Sequence, residues 1–160
     1  MRISRGDTSI NKSLWDEGQI NKGLRDYVCH HFPQNYQKLF DAVGEICSVS
    51  EALSTYKSVN LAYAKVIECC NNTTQKSIAL LYSAWKIDDG EFVSILLSKG
   101  ADANATDPEG RSCLHLSCCA GHPNNVEMLL RKRSGKNGQV NPNMDSRYII
   151  VLFQLLHLAY

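Results

Sequence analysis

His115, Cys118, Cys119 and His122 fall within eight consecutive residues of the segment LHLSCCAGH. Imidazole and thiolate are the ligands zinc prefers, and four of them would complete a tetrahedron. A lone thiolate would instead offer nucleophilic or redox chemistry. The spacing argues against both. Cys118 and Cys119 are neighbours, about 100° apart on a helix, so they point in different directions. No basic cluster surrounds them to lower a thiol pKa, and the chain contains no Cys-x-x-Cys. His30-His31 has no spaced cysteine, glycine-rich loop or paired acidic motif beside it, and reads as a helix-end pair. Asp88-Asp89 reads as a loop acid pair that caps the following helix. A catalytic carboxylate pair would need a converging partner and a cleft. No catalytic residue, cofactor or metal is therefore expected.

The elements around these residues give them a different task. Laid against itself at an offset of 33 residues, the chain places Val93 on Val126, Ile95 on Met128, Leu96 on Leu129 and Leu97 on Leu130. Leu81 falls on Leu114 and Tyr82 on His115 at the same offset. A period of that length is the mark of a stacked solenoid of helix pairs. Pro108-Glu109-Gly110 supplies a turn between units. Ser112 is placed to cap a first helix or to bond with His115, Gly121 to end that helix, and Pro123 to open the next. Val126, Leu129 and Leu130 then lie on one face of the second helix.

The stretch DPEGRSCLHLSCCAGHPNNVEMLL, preceded by GADAN, resembles an ankyrin repeat. Asp107, Gly110, Leu114, His115, Gly121, His122, Val126, Leu129 and Leu130 match the family pattern. Ser112-Cys113 stand where Thr-Pro is usual, and Ser117-Cys118 where two alanines are usual. Residues 74–104 form a diverged unit, with Leu80 for Pro and Tyr82 for His. The resemblance implies that His115 and His122 fix turns and loops through hydrogen bonds. It also implies protein binding through turns and a concave helix face. The partner-binding side chains expected on that basis are Thr106, Glu109 and Arg111 on one finger, Ser117 and Cys119 on the adjoining helix, and Asn143 and Asp145 on the next finger.

The fold expected is all-α, an ankyrin-type helical repeat solenoid preceded by a helical N-terminal region. Residues 1–22 are polar and read as a disordered segment, 23–73 as a helical region holding degenerate repeats at most, and 74–160 as ankyrin-like repeats. In the helical region a break is expected at Pro33, Ser50-Glu51 reads as a helix start, and the stretch 49–70 reads as one long helix or as two with a joint near Ser58. LLHLAY at 155–160 repeats the Leu-His-Leu motif. His157 lies 42 residues after His115, nine more than the period, so the chain is expected to stop inside a third repeat carrying an insertion.

Seventeen Lys and Arg against 16 Asp and Glu give no electrostatic drive towards nucleic acid. The run Arg131-Lys132-Arg133-Ser134-Gly135-Lys136 reads as a solvated loop rather than a nucleic-acid patch. YIIVLFQLLHLAY is apolar over 13 residues, short of the roughly 20 that a membrane span needs. The N-terminus lacks the apolar segment of a secretory signal. Seven cysteines, an odd number, suit a reducing compartment, so the cytoplasm is expected, with the nucleus as the alternative. The resulting expectation is a non-catalytic scaffold or adaptor for a protein partner, without a small-molecule substrate. The competing expectation is a cytosolic ankyrin fragment of a larger membrane protein such as a cation channel.

Overall fold

The computed structural model describes residues 16–51 and 56–134. Within them lie α1 (Glu17–His31), α2 (Tyr36–Glu51), α3 (Tyr56–Glu68), α4 (Thr73–Lys86), α5 (Gly90–Ser98), α6 (Cys113–Ala120) and α7 (Pro123–Ser134). The only extended pairing among the described residues is an isolated antiparallel bridge between Thr106 and Ser112. The fold is all-α, as the periodicity requires. The segment 135–160, with the LLHLAY motif, Asn143 and Asp145, lies outside the described residues, as does most of the polar N-terminal stretch.

Two helix pairs stack side by side. The first helices α4 and α6 are neighbours, and so are the second helices α5 and α7. Burial follows the 33-residue register. Val93 and Val126, Leu96 and Leu129, and Leu81 and Leu114 are all buried, whereas Ile95 and Met128, and Leu97 and Leu130, are half-buried. Equivalent residues thus sit in equivalent layers, as stacking of identical units demands. α2 and α3 form a further antiparallel pair, with Lys65 Nζ bonded to Glu45 at 3.0 Å. Tyr63 of α3 stacks on Phe92 of α5, with ring centroids 4.7 Å apart.

Two expectations about the N-terminal half need correction. The polar segment does not reach residue 22, because a helix starts at Glu17. Asp16 caps it, its carboxylate accepting from Gly18 N and Gln19 N, and Ile20, Leu24 and Val28 supply a buried stripe at i, i+4 and i+8. Glu51 closes α2 and opens no new helix. The apolar face of α3 is Ala62, Tyr63 and Val66, with Cys69 buried just past its end, while Leu61 points to solvent and is 62% exposed.

α4 is buried along most of its length, from Ser77 to Trp85. Such enclosure requires cover on every side, and α4 has it from α1, α2, α5 and α6. Gly90 opens α5 where the backbone of α7 comes close: a Cβ there would lie 2.8 Å from the Asn124 carbonyl oxygen.

Candidate functional site

The finger between the repeats begins at Gly100, whose φ of 107° turns the chain out of α5 while Ala101 N returns a hydrogen bond to the Leu96 carbonyl. Asp102 N donates to Ser77 Oγ at 2.9 Å, which pins the base of the finger to α4. Asp102 Oδ1 accepts from Asn104 N and closes a local turn. At the tip, Asp107 organises the loop. Its Oδ1 accepts from Glu109 N at 3.0 Å and Arg111 N at 2.8 Å, and its Oδ2 accepts from Arg111 Nε at 2.7 Å. Gly110 takes the left-handed conformation that completes the turn, with φ of 82°.

The residues expected to bind a partner separate into two groups. Thr106 and Glu109 stand exposed on the finger. Arg111 and Ser117 do not, which corrects the exposure expected of them. Arg111 is 4% exposed because Asp107 draws its guanidinium into a buried ion pair. Ser117 is 0% exposed because it faces the preceding repeat, with Oγ 3.5 Å from the Ala84 carbonyl oxygen. Cys119 is half-buried.

The cysteines and histidines of LHLSCCAGH are set in the packing. Ser112 and His115 form a capping box: Ser112 Oγ accepts from His115 N, and His115 Nδ1 accepts from Ser112 N at 3.1 Å. His122 Nε2 bonds to the Trp85 carbonyl oxygen of the neighbouring repeat at 2.9 Å. Gly121, with φ of 74°, ends α6. Burial pushes the Cys113 thiol up to about 12 and raises Cys118 as well. Burial is also the main cause that lifts Cys119 to about 11; the Glu17 carboxylate adds to it and the Arg111 guanidinium opposes it. Thiols raised in this way are neutral near pH 7 and weak nucleophiles. Among the described residues no three His, Cys, Asp or Glu side chains converge as metal ligands would.

Asn125 went unnoticed in the sequence, although it ties the two repeats together. It is 0% exposed. Its Nδ2 donates to the Ile87 carbonyl at 2.7 Å and to the Ala84 carbonyl at 3.3 Å, while its Oδ1 accepts from Asp89 N. The aspartate pair divides its work across the same junction. Asp89 caps α5 as expected, accepting from Phe92 N, whereas Asp88 reaches over to α7 and accepts from Asn125 N at 3.0 Å. An open groove of about 490 Å³ lies here, between α5 and α7; of the four acids that line it, Asp88, Asp89, Glu91 and Glu127, the two aspartates are engaged at the helix starts. The signal in the sequence was the pairing of Asp88-Asp89 with Asn124-Asn125 at one period plus a few residues, which only the fold brings together.

α1 lies against the first helices. Ile20, Leu24 and Val28 are buried, and the helix packs on α4. Gln75 Nε2 of α4 donates to the His31 carbonyl at 2.9 Å. Midway along α1, a Cβ on Gly23 would lie 3.8 Å from Arg111 Nη2. Arg25 sits over the ring of Phe40 in α2, 4.2 Å from its centroid.

Residues 51–145 match a family model described as ankyrin repeats, three copies. The match takes in α3, within the region 23–73 expected to hold degenerate repeats at most. No curated protein and no solved structure matches the chain. No described helix is long and apolar enough to cross a membrane.

Proposed function

The chain belongs to the ankyrin-repeat family, and from that premise we propose that it is a non-catalytic protein-interaction module, a scaffold or adaptor, whose finger at 102–110 contacts the partner. Ankyrin repeats in general serve protein–protein interaction. One observation carries the assignment to the finger. Its backbone is fixed from within by Asp102 and Asp107 and at its base by Ser77 of α4, while Asp102, Asn104, Thr106 and Glu109 remain exposed. A rigid loop with solvated side chains binds without the entropy cost of ordering itself. Arg111 balances Asp107 inside the loop, so Asp102 and Glu109 give the exposed surface an acidic character. A partner presenting Lys, Arg or backbone N–H groups fits that surface. The seven cysteines, all unbridged, support a cytoplasmic setting.

The test is affinity capture from an extract of the source cells with the wild-type chain and with Glu109→Arg. A protein retained by the wild type and lost from the charge-reversed chain is the expected result. Equal retention by both chains would remove the finger from the binding surface.

A further inference from the structure

The inner face of an ankyrin stack is formed by its first helices and the roots of its fingers. In this chain that face is occupied. α1 runs from the neighbourhood of Cys119 and Arg111, where Glu17 and Gly23 lie, to the start of α4, where His31 meets Gln75. We infer that the inner face is a groove for an amphipathic helix with apolar side chains at i, i+4 and i+8, and that α1 is a displaceable intramolecular ligand holding the place of a partner's helix. This inference rests on the protein-interaction reading and names the ligand class and the regulation of that surface.

Two features set α1 apart from the repeats. Its attachment is mainly the stripe Ile20, Leu24 and Val28, which any helix with the same spacing can reproduce. Beyond the stripe, Arg25 sits over the Phe40 ring and donates a hydrogen bond to the Tyr82 hydroxyl of α4, and Gln75 of α4 holds the His31 carbonyl. Finally, α1 is joined to α2 by the short turn after Phe32, so it can leave the groove without unthreading any repeat.

Tethering gives α1 an effective concentration in the millimolar range, so a competing helix binds weakly until α1 is loosened. The test uses the full chain, as wild type and as Leu24→Glu, with a fluorescent synthetic peptide of residues 16–32 as the probe. The charged side chain is expected to unseat α1, so the variant binds the peptide at least about tenfold more tightly than the wild type. N-ethylmaleimide labelling, resolved by mass spectrometry, is read alongside. Cys119 should label at least about tenfold faster in the variant, and the peptide should slow it again, while Cys113 and Cys118 stay protected. Simultaneous labelling of Cys113, Cys118 and Cys119 in the wild type would show that α1 opens only with the repeats and would overturn the inference. So would equal peptide binding by the two folded chains. Should the variant not fold, the order of labelling in the wild type decides the matter. Failure here with partner capture intact would leave the finger as the binding surface. Success here with capture unaffected by Glu109→Arg would move the partner from the finger to the groove.

Discussion

The junction between the two repeats and the seat of α1 bury similar kinds of apolar side chains, but they are fastened differently. Across the junction, directed polar bonds accompany the leucines: His122 to the Trp85 carbonyl, Asn125 to the Ala84 and Ile87 carbonyls, and Asp88 to Asn125 N. Each bond satisfies a group at a helix end or loop that would otherwise be buried unpaired, so only one register suffices. Among the described residues α1 is linked to the repeats by Gln75 Nε2 to the His31 carbonyl and by Arg25 to Tyr82, and the rest of its seat is the apolar stripe Ile20, Leu24 and Val28. Apolar burial is non-directional. Polar bonds therefore fix the relation of repeat to repeat, while α1 is held by a contact that another helix can replace.

The strongest way to break the fixed region is to remove one side of its buried ion pair. Asp107→Ala leaves Arg111 without its carboxylate and is expected to destabilise the fold by about 3–5 kcal/mol in urea titration. Next come matched cavities that sharpen the comparison. Leu114→Ala in α6 is expected to cost about 2–5 kcal/mol of global stability. Leu24→Ala in α1 creates a similar cavity, but its global cost is capped by the free energy of seating α1, so a smaller shift of the urea midpoint is expected. Asn125→Ala removes partners from buried carbonyls and from Asp89 N, at about 1–3 kcal/mol, and should loosen α7 from the preceding repeat. Ser112→Ala removes one half of the capping box and should cost about 1 kcal/mol. The smallest effect is that of Glu109→Arg, within about 0.5 kcal/mol, because that side chain is exposed.

Alkaline pH probes the same frame. The Cys113 thiol is raised from 9.0 to about 12 by burial, so the folded state keeps its proton where the unfolded chain loses it. Stability is fully present below pH 9 and falls as the pH rises towards 12. Cys113→Ala should flatten that decline in thermal melts recorded across the range.

The repeats were legible because period and burial coincide. Val93 with Val126 and Leu96 with Leu129 announced both stacking and depth. The caps at Ser112 and Asp89 and the stop at Gly121 were legible too, since their chemistry is local. What escaped were relations between distant segments. Arg111 reads as an exposed finger residue, yet Asp107 and the approach of α1 bury it. Ser117 sits at a helix position that looks variable, but a neighbouring repeat covers it. α1 was masked by its composition: Ile20, Leu24 and Val28 are single apolar residues among polar ones, enough for a stripe but faint as a pattern.

If α1 is a unit separate from the repeats it covers, it opens before they do. Native-state hydrogen exchange of the full chain, followed at low and rising urea, tests this most directly. The account predicts that α1 amides exchange first and as one group, while α4 and α6 keep their protection until global unfolding. Exchange of α1 in step with α4 and α6 at every urea concentration would contradict it and make α1 an integral part of the core.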